Sequence, residues 1–86
     1  MKESHRVPKL HLLKIKPEYF NAVESLLKQF ELRKDDRDYQ IGDLIILQEY
    51  DDGEYTGREC GAFKISYILR DCPEYGLMPG YCIIGW

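Results

Sequence analysis

Histidine, cysteine and tryptophan are all scarce in this sequence, and basic residues are outnumbered by acidic ones. The three cysteines, Cys60, Cys72 and Cys82, form no CxxC pair, and an odd number cannot pair off completely. The charged start MKESHRVPK has no apolar stretch behind it, so no secretory leader is expected. Together these features predict reduced thiols in a cytoplasm, each acting as a small buried hydrophobe. A zinc site needs four ligands at workable spacing. Only His5 and His11 are available to complete one, and nothing stands at ligand-like spacing, so neither a metal nor a cofactor is expected. No window approaches the ~18 apolar residues of a membrane-spanning helix, so no membrane partner is expected either. Lys and Arg total 12 against 15 Asp and Glu, a formal net charge of −3. That balance argues against a domain that coats nucleic acid through a basic surface. A recognition site built from a few placed cations stays open.

What the chain does have is a core. Its 86 residues make one domain, 1–86, and 44% of them are hydrophobic, an ordinary globular share. A domain of this size buries roughly 60–65% of its unfolded surface, so the core is modest. Seven Tyr, three Phe and one Trp supply the large side chains that fill a small barrel.

Met1 to Lys9 is polar and expected to fray. Lys9 to Lys16, KLHLLKIK, alternates with His11, Leu13 and Ile15 on one parity, the pattern of a strand. Pro17 ends it and opens a helix, with Glu18 suited to the positive end of the helix dipole. Tyr19, Phe20, Val23, Leu26, Leu27 and Phe30 recur at steps of three and four, which predicts an amphipathic helix over Pro17 to Lys28. Lys28 then sits at the helix C-terminus, where a cation is favoured. Phe30 to Lys34 reads as a short strand with Phe30 and Leu32 on one face and Glu31 and Arg33 on a charged outer face. DDRDYQIGD is a turn. Leu44 to Tyr50 is the most apolar segment and reads as a central strand. Asp51-Asp52-Gly53 is a turn, and Tyr55 to Arg58 is a short stretch able to pair locally. Ala62 to Leu69 reads as a strand with Phe63, Ile65, Tyr67 and Leu69 on one face. Asp71 to Pro79 is a loop, and Tyr81 to Trp86 a last strand. One early helix followed by short strands and Gly-rich turns predicts an α+β, mostly β, domain: a small closed or half-closed barrel with the helix over one opening. One helix cannot cover both faces of a parallel sheet, which argues against α/β.

The segment richest in chemistry is Lys28 to Asp38. Lys28-x-x-Glu31-x-Arg33 brings together an ammonium, a carboxylate and a guanidinium. Such a trio can hold an anion, with Glu31 orienting Arg33 for a planar contact. The same alternation also fits a solvated run of ion pairs, which stabilises little. His11 shares the apolar parity of its strand and reads as a partnered structural histidine, with phosphate or base contact as the other option. Tyr55 and Arg58 flank a tight turn, where they either clamp a base or close the rim of the barrel. Glu49 is expected to pair with Arg33 or Arg37.

KxxExR after a short helix, followed by a GD-led strand, resembles the ASCH domain of the PUA-like superfamily. The strings HLLKIKPEYFNAV, KQFELRKDDRDYQIGDLIILQEYD and YTGR closely resemble an uncharacterised bacterial and phage family within it. The resemblance runs from Leu10 to Leu69. It implies a PUA-like five- or six-stranded pseudo-barrel with a cleft beside the KxxExR strand that binds RNA. Some ASCH relatives are amidohydrolases acting on acetylated cytidine nucleosides, and others are ribonucleases. The family motif begins with Gly two residues before its Lys; here that position is Leu26. In the amidohydrolase relatives Thr stands where this chain has Glu31, beside a catalytic Lys matching Lys28.

Three functions follow as expectations. One is an RNA- or modified-nucleoside-binding module using Lys28, Glu31, Arg33, Lys34, Arg37, Asp38, Tyr55 and Arg58. Another is a small enzyme with Lys28 as nucleophile or base, assisted by Glu31. The third is a protein-interaction domain carried by mobile elements.

Overall fold

A computed structural model describes residues 7–86. His5, and the reading of Met1 to Arg6 as frayed, lie outside the described residues.

Alternation makes the first strand. In β1 (Leu10–Ile15) His11, Leu13 and Ile15 point inward, and Leu10, Leu12 and Lys14 point out. Lys16 closes the strand in extended backbone, and its carbonyl accepts the Tyr19 and Phe20 amides to start α1 (Pro17–Glu24). Pro17 at the first helical position gives up an amide that would have lacked a partner there. Phe20 and Val23, one turn apart, carry the buried face of this helix.

The helix is shorter than its apolar periodicity predicts. Ser25 caps it, and Leu26 turns left-handed at φ 64°. The Leu27 amide reaches back to the Ala22 carbonyl and the Leu26 amide to Val23, at 2.9 and 3.0 Å. These two bonds form a Schellman closure. Leu26 and Leu27 are therefore 72% and 84% exposed rather than core, and Lys28 lies beyond the helix.

Six strands form two sheets. Sheet A runs β1–β3–β4, with β3 (Leu44–Asp51) in the centre, parallel to β1 and antiparallel to β4 (Glu54–Lys64). Sheet B runs β2–β6–β5, with β6 (Tyr81–Gly85) between β2 (Phe30–Lys34) and β5 (Tyr67–Leu69), all antiparallel. The domain is thus mostly β with one main helix. Among the described residues no ladder joins β1 to β2 or β4 to β5, so of the closed or half-closed barrel that was expected the closed form is absent and two small sheets stand. Side chains bridge the first seam. Arg33 donates to the Lys14 carbonyl and Arg37 to the Leu12 carbonyl at 2.9 Å, which gives two carbonyls on the free edge of β1 a partner.

The stretch Tyr55–Arg58 and the beginning of Ala62–Leu69 belong to one long strand, β4, with register shifts at Ile45/Ile46 and Gln48/Tyr50. At Ile65–Ser66 the chain crosses between sheets. The Ile65 amide bonds the Asp43 carbonyl and the Ser66 amide bonds the Gly85 carbonyl. That corner breaks the parity read through Ala62–Leu69. Ile65 is buried, whereas Tyr67 and Leu69 emerge on the outside.

The core holds Leu13, Ile15, Phe20, Val23, Tyr39, Ile45, Leu47, Ile65, Cys82 and Ile84, with Phe63 stacked on Trp86 at its margin. Strand β2 contributes nothing apolar to it. Its polarity is inverted: Glu31 is 6% exposed, while Phe30 and Leu32 are 47% and 58% exposed. The expected charged outer face is the inner one. Register decides this, because Glu31 sits opposite inward-facing Ile84 and Leu32 opposite Ile83.

Candidate functional site

Inverting β2 places its charges inside. The chain leaves the Schellman turn at Leu26–Leu27, which aims Lys28 back toward the start of β2. The Lys28 ammonium donates to the Phe30 carbonyl at 2.6 Å and to the Glu31 carboxylate. It also stands 4.9 Å from the Phe30 ring centroid and 5.6 Å from that of Tyr19. Arg33, two residues along the same strand face, donates through Nε to the other Glu31 oxygen at 3.1 Å and through Nη2 to the Lys14 carbonyl. The trio read from KxxExR forms, with the carboxylate buried beneath two cations.

A second cluster comes from β3, β4 and α1. The Arg58 guanidinium donates to Glu49 at 3.2 Å and to Glu24 at 3.0 Å, and lies 4.5 Å from the Phe20 ring centroid. Glu49 is 5% exposed and also accepts the Thr56 hydroxyl at 2.7 Å. Its partner is therefore Arg58, not Arg33 or Arg37 as expected; both of those reach across to the β1 edge instead.

Cys60 lies on β4 and is partly buried. Burial pushes its thiol up from the ordinary value. The Glu24 carboxylate pushes the same way, Arg58 opposes it, and Glu31 adds to the rise. The two groups share no hydrogen bond or ion pair among the described residues. Three cations (Lys28, Arg33, Arg58) face three carboxylates (Glu24, Glu31, Glu49), and the charges balance.

The remaining candidates lie elsewhere. Lys34 is exposed on the outer face of sheet B, opposite Tyr81. Arg37 spans to β1, and Asp38 meets Lys9 at 3.5 Å and Gln40 at 2.8 Å. Tyr55 packs edge-on against Tyr50 at 5.0 Å, with the Lys14 ammonium 4.4 Å from the Tyr50 ring centroid. Tyr55 and Arg58 both line a hollow of about 50 Å³ with Glu49.

Sequence reasoning missed Glu24, Thr56 and Cys60, since nothing in their local pattern marks residues that meet only across the fold. It also missed Asp43. That carboxylate is fully buried and receives His11 Nε2 at 2.8 Å, the Lys9 amide at 3.0 Å and the Gln40 amide at 3.1 Å. His11 is therefore a buried, partnered histidine, with the Tyr39 ring 4.7 Å away. Among the described residues no three His, Cys, Asp or Glu side chains gather as a metal site, and no helix is long and apolar enough to cross a membrane.

A curated protein of Escherichia phage P2, described as "Uncharacterized 12.9 kDa protein in GpA 3'region", is 43% identical over 54 residues, 63% of this chain and 50% of that protein. The chain spans about half the length of that curated relative. The family model described as "Domain of unknown function (DUF3850)" matches residues 10–86, nearly the whole chain, and the chain belongs to that family.

Proposed function

We propose that this domain binds RNA or a modified nucleoside, in the manner of an ASCH domain on a PUA-like pseudo-barrel, through the charged side chains of Lys28, Glu31, Arg33 and Arg58. The observation that carries the reading is the burial of Glu31 between Lys28 and Arg33. Burying charged groups costs more desolvation than packed aliphatic residues would, so a small domain gains little stability from such a cluster. Its value lies in fixed donors and acceptors. A guanidinium held by a carboxylate presents a planar fork suited to the edge of a base. The balanced charge and the net −3 favour reading a base or a short RNA over tracking a phosphate backbone.

Binding is favoured over hydrolysis by the state of Lys28. Its ammonium donates to two oxygens, whereas a lysine nucleophile attacks through a free lone pair.

The test is fluorescence anisotropy with labelled single-stranded and hairpin RNA at two salt concentrations, alongside calorimetry with acetylcytidine. Arg58 is half exposed but pairs with the buried Glu49, so circular dichroism checks that Arg58→Ala remains folded. Micromolar binding that weakens tenfold or more, about 1.4 kcal/mol, in Arg58→Ala and in Arg33→Ala is the expected result. A shallow salt slope separates base recognition from phosphate tracking. No binding to any RNA or nucleoside at micromolar protein refutes the proposal.

A further inference from the structure

Two aromatic rings at the edge of sheet B share one cation. Tyr19 precedes the inward-facing Phe20 by one residue, about 100° round the helix, and is 45% exposed. Phe30 opens β2 and is 47% exposed. β2 is an edge strand: it pairs with β6 on one side and, among the described residues, with no strand on the other. The Lys28 ammonium lies 4.9 Å from the Phe30 ring centroid and 5.6 Å from that of Tyr19. Both distances are within the ~6 Å reach of a cation–π contact.

These two rings line a hollow of about 340 Å³ together with Lys28 and Leu32. Its size is at the small end of the ~300–1,000 Å³ of small-molecule sites, and its lining has their chemistry, apolar and aromatic walls with one placed polar group. Two other hollows lack that combination. One of about 250 Å³, beside Leu77, Met78 and Tyr81, has no charged residue in its wall. One of about 390 Å³ has Lys16 but also Glu18, Asp51 and Asp52, three carboxylates that repel an anionic ligand.

The ammonium narrows what fits. A lysine carries three N–H donors and no acceptor. Among the described residues two oxygens accept from Lys28, the Phe30 carbonyl and one oxygen of Glu31, which leaves a third donor beside two aromatic rings. A flat group that stacks and also accepts a charge-assisted hydrogen bond uses both features.

We propose that this hollow is a base subsite and that it takes a base bearing a ring carbonyl (uracil, cytosine or guanine), stacked on the aromatic wall with its carbonyl oxygen on Lys28. The inference rests on the reading that the domain binds RNA or a nucleoside, and it names the part of the ligand that Lys28 meets. Adenine carries no carbonyl. Its acceptors are ring nitrogens, set back by a bond length from where a carbonyl oxygen stands. A phosphate suits the hollow less than a base does, because the face of an aromatic ring is its negative side and Glu31 already pairs with the ammonium. Rings that only sheltered the Lys28–Glu31 pair from water would matter for stability and not for the choice of base.

The test is anisotropy with labelled oligo(U) and oligo(A) of equal length, alongside calorimetry with uridine and adenosine. Oligo(U) is expected to bind the native chain about 10-fold more tightly than oligo(A), the low end of what one hydrogen bond to a charged group supplies. Lys28→Met keeps the stem without the donors and is expected to bring that ratio close to one. Tyr19→Ala and Phe30→Ala are each expected to weaken oligo(U) about 10-fold, as loss of a stacking partner does. Tyr75→Ala, at an 87% exposed tyrosine outside the hollow, is expected to bind like the native chain. Circular dichroism establishes folding, and if one aromatic variant unfolds the other decides. Uridine binding that weakens in the same variants extends the subsite to free nucleosides; binding of oligo(U) alone assigns it to RNA. A native chain that holds oligo(A) as tightly as oligo(U) overturns the base subsite and leaves RNA binding standing, as do folded Tyr19→Ala and Phe30→Ala chains that bind oligo(U) like the native one. No binding of either oligonucleotide or either nucleoside overturns both readings.

Discussion

Leu26 is where local pattern and tertiary structure disagree most sharply, and two substitutions separate them. If residues 17–28 formed one helix, as the apolar periodicity predicts, glycine at position 26 would be about 1 kcal/mol worse than alanine. In the structure Leu26 follows the cap at φ 64°, and its amide and that of Leu27 close the helix end. A residue with a Cβ pays ~1–2 kcal/mol in that region. Glycine avoids the strain but gains ~0.4–1 kcal/mol of freedom in the unfolded chain. The difference is about 0.5–1 kcal/mol in favour of Leu26→Gly over Leu26→Ala, the opposite sign. Comparing the two variants removes the packing of the leucine side chain, which both lose and which is small at 72% exposure. Urea denaturation followed by Trp86 fluorescence reads the difference, since Trp86 stacks on Phe63 at 4.9 Å and reports the intact core. In a domain of this size the thermal midpoints should separate by about 2–8 °C. An alanine variant as stable as the glycine variant, or more so, refutes the left-handed closure. The position is also the one where the resembled motif carries glycine.

Other outcomes follow from the buried polar groups. Glu31→Gln leaves the mostly buried Lys28 and Arg33 without their counter-charge and should cost about 2–4 kcal/mol; a loss below 1 kcal/mol in urea titration would contradict its burial. Asp43→Ala strips the partner from His11 and from two backbone amides and should cost about 2–4 kcal/mol. Lys9→Ala, at an exposed 3.5 Å contact, should cost under about 0.5 kcal/mol; equal losses in the two would overturn this ranking. Burial pushes the Cys60 and Cys82 thiols up from 9.0, so the folded chain holds these protons more tightly than the unfolded chain. Their contribution to stability is complete below pH 9 and is lost as pH rises through the folded values. In a Cys72→Ala background, thiolate absorbance of the folded chain should lag that of the urea-unfolded chain; coincident curves would exclude the burial of both thiols.

Much of the secondary structure was legible because it rests on short-range rules. β1, β2, β3 and β6 fall within a residue or two of the segments read from alternation, and Pro17 starts α1. The approach of Lys28, Glu31 and Arg33 was legible too, since residues two and three apart on a turn and a strand cannot stray far. Arg58 was marked as a candidate, but its partners were not. Glu24 lies 34 residues away and Glu49 nine, and no local periodicity encodes such separations. Lys34, Arg37 and Asp38 were grouped with the site by proximity in sequence; Lys34 lies on the outer face of sheet B, while Arg37 and Asp38 reach the β1 edge and Lys9.

By itself the sequence determined a mostly β domain with one helix, the ends of most strands and the charged trio. These follow from backbone preferences and from spacings of a few residues. Only the tertiary structure decided which face of β2 turns inward, where the helix stops and which carboxylates meet Arg58. A strand pattern with apolar residues on one parity and charges on the other fits either orientation until a partner strand sets the register. Pairing Glu31 with Ile84 sent the charges into the interior and left Phe30 and Leu32 outside.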